Sequence, residues 1–273
     1  MRSAGAFLLL LACGRPGPEP VPSQAAWLLD GMFLAPPLES GGALLLCQRF
    51  EVTREEFAGV WSRSSSDLPA TFVSREEARD WARDRGLRLP SGVEWRHLAV
   101  AGAGQPPPRY PWGPRYIAAR ANTVELGRHQ ALPVGVFERG TSALGGYDFS
   151  GNVWEWVDDP PDPEWSESEV ALTGAAMGGS YASSVDDATV QSVRVVNPDD
   201  RAEDLGFRAV AAAAPWILAQ VDPLWRAGQG RDRSWIERAF LRWRPDLRRR
   251  LAEELETAGA SAEMLAALRA PKP

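Results

Sequence analysis

Gly146-Tyr147-Asp148-Phe149-Ser150-Gly151-Asn152-Val153-Trp154-Glu155-Trp156 is the stretch of this chain whose reading decides its fold. Its Gly-rich first half reads as an irregular turn, whose backbone exposes carbonyl oxygens that a helix would consume. Its second half has two readings: Glu155 and the carbonyls of the turn as ligands of a hard cation, or Trp154 and Trp156 as core side chains with Glu155 paired to an arginine.

Outward from this stretch, the chain alternates short helical and strand patterns from about Trp27 to Val210. It is punctuated by many Gly and Pro residues and carries no internal repeat or long uninterrupted helix, the pattern of an irregular α+β domain. Thr53 with Glu56 three residues on has capping-box spacing, with Phe57 and Val60 as the apolar face that follows. Ser74 with Glu77 repeats the signal more strongly, because Ala78, Trp81 and Ala82 share one helical face and Gly86 supplies the stop. Cys47 ends the apolar run Ala43-Leu44-Leu45-Leu46 and reads as a buried strand thiol.

Length allows one large domain, or one domain with an appendage. With 44% hydrophobic residues, 24% charged residues and 12 Trp, the chain can form a packed core and is not a disordered protein. A net charge of -6 argues against nucleic acid as a partner. Lys272 is the sole lysine among many arginines, which reads first as genome base composition and only second as a preference for bidentate anion recognition.

Residues 1–13 read as an export signal: Arg2, the apolar run Ala6-Phe7-Leu8-Leu9-Leu10-Leu11, then a small residue before Cys13. The run is too short to span a bilayer. Leu10-Leu11-Ala12-Cys13 resembles the lipobox of bacterial lipoproteins, which implies lipid attachment at Cys13 and a membrane as partner. A plain signal peptide or a buried apolar start is the alternative. Residues 14–26 follow as a tether, with Pro16, Pro18, Pro20 and Pro22 excluding helix and central strand. The expectation is an exported, membrane-anchored lipoprotein of the bacterial envelope. Gly14 offers no inner-membrane retention signal, which favours the outer membrane. If Cys13 is acylated, Cys47 has no disulfide partner.

A series of motifs runs through the body in fixed order: Phe50-Glu51-Val52-Thr53 with Glu56-Phe57; Arg88-Leu89-Pro90-Ser91 with Glu94-Trp95; Tyr110-Pro111-Trp112-Gly113; Ala121-Asn122-Thr123; Pro133-Val134-Gly135. The opening stretch comes next, then Gly178-Gly179-Ser180-Tyr181 and Gly206-Phe207-Arg208. This order resembles the formylglycine-generating enzyme, or sulfatase-modifying-factor, family over roughly residues 45–210. The resemblance implies an elaborated C-type-lectin-like α+β domain with much irregular chain, set here at residues 27–212.

The oxidase members of that family bind copper through two cysteines; here the first of these positions falls on Ser183 and the second on or near Ala188. Cu(I) prefers thiolates, and a neutral serine hydroxyl is no substitute, so no copper is expected. The iron-dependent branch uses several histidines, whereas this chain has only His97, on a packed helix pattern, and His129, in a polar turn. Phosphate-cradling loops, paired-cysteine zinc motifs and His-Glu-x-x-His are missing. By resemblance, a structural calcium ion is expected at the carboxylates of Asp148 and Glu155 and the backbone carbonyls of Gly151 and Val153. A second family calcium site would use Asn122, but the acid it needs is not evident between Glu125 and Val134.

Residues 213–273 lie outside the family pattern and read as a helical extension. Ser234 is expected to cap a helix with Ile236, Ala239, Phe240 and Trp243 on one face; Pro245 breaks it, and Leu247, Leu251 and Leu255 make the next stripe before Gly259. From residue 215 the net charge is +3, against -9 for the rest, so these helices either cap the domain, dock on its acidic surface or lie near anionic lipid.

Three functions follow as expectations. The first is a noncatalytic lipoprotein whose cleft binds a peptide, glycan or protein partner in the envelope. The second is an enzyme of another kind using the same cleft, with Ser183, Asp186, Asp187 and Arg194 as polar candidates and a sulfatase-modifying oxidase as its least favoured form. The third is a structural subunit of an envelope assembly.

Overall fold

The computed structural model describes residues 22–60, 67–104, 106–159, 173–228 and 230–271. The lipobox at Cys13 and the tether up to residue 21 lie outside the described residues.

Among the described residues seven short strands follow one another: β1 (Met32–Ala35), β2 (Leu45–Gln48), β3 (Trp154–Val157), β4 (Gly174–Met177), β5 (Val193–Val196), β6 (Leu205–Gly206) and β7 (Val210–Ala212). They form two sheets, in the orders β1-β2-β7 and β5-β4-β3-β6. In the first, Phe33 lies opposite Cys47 and Cys47 opposite Val210, so the start and end of the domain share one sheet. β1 and β2 are buried at every position, which is why they read as continuous apolar runs rather than as alternation. The second sheet carries the Trp-Glu-Trp string on its β3, antiparallel to β4 and parallel to β6.

Helices α1 (Gln24–Asp30), α2 (Arg54–Phe57), α3 (Arg75–Arg83) and α4 (Gly92–Val100) precede the second sheet. Thr53/Glu56 and Ser74/Glu77 form complete capping boxes, as their spacing predicts, and Ser91/Glu94 forms a third. Each cap contributes about 0.5–2 kcal/mol and fixes where a short helix begins in a chain rich in turns. Gly86 closes the α3 turn at φ 67°, a conformation that suits glycine. Two expectations change. Val60 is 50% exposed and so lies off the apolar face of α2, which stops at Phe57. Helix α1 begins at Gln24, inside the expected tether, with Ser23 as its N-cap.

The C-terminal helices are α5 (Ala213–Trp216), a π-type turn (Ile217–Val221), α6 (Asp222–Arg226), α7 (Gly230–Arg242), α8 (Pro245–Thr257) and α9 (Ala262–Arg269). Ser234 is not the cap of α7 but an interior residue whose hydroxyl donates to the Arg231 carbonyl, because the helix starts a turn earlier. Pro245 opens α8 at its first turn, where the missing N–H costs nothing. These helices share one apolar cluster with the domain, running from Trp81, Trp156 and Phe207 through Trp216 and Trp243 to Leu251 and Leu268. Trp27 stacks on Trp235 with ring centroids 5.6 Å apart, and Trp243 donates to the Met32 carbonyl at 3.1 Å. Arg242 pairs with the buried Asp30 at 2.5 Å. The extension is therefore built into the core of the domain through α1 and β1. No helix of the described residues is long and apolar enough to cross a membrane.

Candidate functional site

The turn before β3 is held by backbone conformations few residue types accept: Asp148 at φ 57°, Gly151 at φ 77° and Asn152 at φ 64°. Gly151 has no substitute, because a Cβ there would stand 2.3 Å from the Asn122 carbonyl oxygen. The side chain of Asn152 ties three segments together. Its amide donates to Glu51 at 2.8 Å, and its oxygen accepts from the Asn122 amide at 3.0 Å and from the Leu132 N–H at 2.9 Å.

Beneath this turn lies a buried charge cluster. The Arg208 guanidinium and the Glu155 carboxylate are both fully buried and make two bonds of 2.5 Å. Glu155 also accepts from Trp95 Nε1 at 2.7 Å. Arg208 completes its five donors on the carbonyls of Gln48, Arg49 and Tyr147, and its face lies 3.7 Å from the centroid of the Phe149 ring. Two further carboxylates share the neighbourhood. Glu51, which accepts from Asn152 and from the Val153 N–H, is held well above the usual carboxylate range by burial and by the charges of Asp148 and Glu155. Asp148 accepts from the Gly135 N–H at 2.9 Å, and burial raises its pKa to about 6 against the pull of that bond and of Arg208.

These contacts do not fit the calcium expected at Asp148, Gly151, Val153 and Glu155. Calcium requires six or more oxygens with lone pairs free to face it. Both Glu155 oxygens instead face a guanidinium, and the charge of Arg208 would repel a divalent ion brought to the same carboxylate. Among the described residues no group of three His, Cys, Asp or Glu side chains is arranged to hold a metal.

Ser183 and Ala188, the positions expected to match the family's cysteines, sit in the loop after β4. Ser183 Oγ accepts from the Ser180 N–H at 3.0 Å, which closes the loop on itself. Ala188 is fully buried, its Cα 2.6 Å from where a Cβ on Gly179 would stand, and its carbonyl accepts from Ser150. A hard, neutral hydroxyl and a buried methyl do not fit a soft copper ion. The polar candidates nearby have separate local partners: Asp186 pairs with Arg109 at 2.8 Å, Asp187 accepts from Ser184 at 2.7 Å, and Arg194 pairs with Asp204 at 3.2 Å. His97 contacts the Pro36 carbonyl at 3.0 Å on α4, away from all of these. Burial pushes the Cys47 thiol up to about 12, leaving it a core side chain.

Tyr181, two residues before Ser183, borders a cleft of about 380 Å³ that also takes in Arg54, Phe72, His129, Leu132 and Glu203. Burial and the Glu203 carboxylate push the Tyr181 phenol up to about 12, so it remains a neutral donor there. Phe72 is 59% exposed and held at φ 58°, a strained backbone for a bulky residue and a waste of apolar surface unless something covers it. Sequence reasoning missed Phe72, since nothing in a single sequence marks a left-handed phenylalanine. Glu51 stands within a family motif, but nothing local to it marks its role.

Residues 47–213 match the sulfatase-modifying factor enzyme 1-like domain family. The inactive C-alpha-formylglycine-generating enzyme 2 of Mus musculus is 33% identical over 167 residues, 57% of this chain and 53% of its own length. The formylglycine-generating enzyme of Streptomyces coelicolor is 31% identical over 168 residues, 51% of each chain. This chain thus spans about half the length of these curated relatives. Among solved structures, Treponema denticola variable protein 1 superposes with a TM-score of 0.50 at 17% identity, over 66% of this chain and 91% of its own, a likeness of fold alone. With more than half its length matched, the chain belongs to the formylglycine-generating-enzyme-like family and carries that family's elaborated α+β fold.

Proposed function

We propose that this chain is a noncatalytic member of its family that holds a peptide or protein segment of the cell envelope in the cleft beside Tyr181. The observation that carries this reading is the state of the two cysteine positions: the Ser183 hydroxyl closes its own loop and Ala188 is packed against Gly179. The cleft supports it with an exposed apolar anchor, Phe72, which lines it together with the cationic Arg54 and the anionic Glu203, a combination suited to an extended peptide with one apolar side chain. A peptide selected from a displayed library on the full chain is expected to lose at least tenfold in affinity on Phe72→Ala with an unchanged melting temperature. An anaerobic Cu(I) titration with a cysteine-containing sulfatase-motif peptide is the complementary check. Tight copper binding with oxidation of the peptide would overturn the noncatalytic reading.

The sequence at Leu10-Leu11-Ala12-Cys13 supports lipid anchoring to the bacterial envelope as part of the same proposal. Cys13→Ser is expected to shift the protein from the membrane to the soluble fraction. Retention in the membrane fraction would count against the lipobox. A different enzyme in the same cleft would rest on His129 and Tyr181, which both line it, with Glu203 beside the phenol. Ser183, Asp186, Asp187 and Arg194 give that reading no help, because each is engaged elsewhere.

A further inference from the structure

Arg120 and Arg139 line one cavity in a chain of net charge -6. Both line an open concavity of about 500 Å³, together with Trp112, Thr141 and Ser142, and no acidic residue is among its lining. The cavity shares no lining residue with the Tyr181 cleft.

Local structure builds this place. Tyr110 and Gly113 exchange both backbone bonds at 3.0 Å in a tight turn, with Gly113 at φ 142°. Tyr110 is buried and anchored through its hydroxyl to the Val185 carbonyl at 2.9 Å. Trp112 stacks on it almost parallel, at 6° and 5.2 Å between centroids, with its indole N–H on the Arg115 carbonyl at 3.1 Å. The indole is thus a fixed plate at the edge of the cavity, with little rotamer entropy left to lose when a ligand covers it. On the other side, residues 138–140 lie tightly against residue 120: a Cβ on Gly140 would stand 1.9 Å from the Arg120 carbonyl oxygen. Only glycine permits that approach, and it places the two arginine-bearing backbones side by side.

An aromatic plate, two guanidinium groups and a hydroxyl rim form a recognisable combination. An aromatic face packs on the apolar face of a pyranose ring, and a guanidinium takes a carboxylate in a planar, bidentate pair. We propose that this cavity is a binding site for an acidic sugar, with the ring on Trp112 and the carboxylate between Arg120 and Arg139. Neutral sugars lack the group the two arginines seek, and small anions lack the ring that Trp112 seeks. The site draws on Trp112, Arg120 and Arg139 and is independent of the peptide cleft beside Tyr181.

The test is calorimetric titration of the full chain with a glucuronic-acid-containing tetrasaccharide, the same tetrasaccharide reduced to its neutral glucose form, and free acetate. The acidic tetrasaccharide is expected to bind at least tenfold more tightly than either of the others, and more weakly as sodium chloride is raised. Arg120→Gln and Arg139→Gln are each expected to lower that affinity at least fivefold with an unchanged melting temperature. Trp112→Phe keeps an aromatic face on Tyr110 and guards against a variant that fails to fold; it is expected to retain partial binding. Equal binding of the acidic and neutral sugars, no binding of the acidic sugar, or indifference of its affinity to both arginine substitutions would overturn the proposal. Phe72→Ala is expected to leave this binding unchanged, so that failure here and failure of the peptide cleft remain distinct results.

Discussion

Replacing Arg208 with Met is expected to cost about 3–5 kcal/mol of stability. The reason is the company that Arg208 keeps. It is the cation facing Glu155, and its charge also lowers the proton affinity of Glu51 and Asp148. Without it three carboxylates share one buried region, and the carbonyls of Gln48, Arg49 and Tyr147 lose their guanidinium bonds, although Gln48 and Arg49 still accept from Cys47 and the Tyr147 N–H. Lysine is a poor replacement, since its ammonium offers three donors where five are used and has no planar face for Phe149. Converting Glu155 to Met as well is expected to recover part of the loss, because a buried apolar pair avoids two desolvation costs. The recovery is incomplete, because Trp95 Nε1 then lacks its acceptor. Urea unfolding of the two single variants and the double variant measures the coupling. A single Arg208→Met variant within about 1 kcal/mol of the parent would refute this account of the cluster.

Asp148→Asn is expected to stabilise the protein at neutral pH, an unusual outcome for a buried polar residue. Burial raises the folded-state pKa of Asp148 to about 6, with Gly135 N–H and Arg208 pulling down and the Glu155 charge pushing up. Because the folded pKa lies above the unfolded one, near 4, the carboxyl's contribution is fully present below about pH 4. It is lost as pH rises through about 6. Asparagine carries no such titration, keeps an oxygen for the Gly135 N–H and tolerates φ 57° well. The gain over the parent should be small at pH 4 and grow to as much as roughly 3 kcal/mol by pH 7. Melting temperatures of both proteins between pH 4 and 7.5 supply the check. A difference that stays constant across that range would dismiss the shift. Glu51, raised in the same direction, should leave some of the pH dependence in the variant.

Both predictions concern groups the sequence displays without explaining. Thr53/Glu56 and Ser74/Glu77 were legible because a capping box is a local device, complete within four residues. The buried status of Cys47 was legible from the apolar run it ends, and that of Trp156 from its large apolar side chain. The pairing of Glu155 with an arginine was one of two readings left open by the sequence. Which arginine was decided by contacts between residues 53 positions apart. Likewise α7 starts a turn before Ser234, and it packs against α1, a contact that no local pattern displays.

The sequence by itself determined the family and the fold, through ordered motifs whose glycines, caps and tryptophans act on near neighbours. Only the tertiary structure decided how charges and exposed surface are distributed. It gave Glu155 to Arg208, built the C-terminal helices into the domain core, left Phe72 uncovered and set Arg120 beside Arg139. The physical reason is range: capping and periodicity are written within a few residues, whereas the neutralisation of a buried charge and the lining of a cavity depend on segments that only the folded chain brings together.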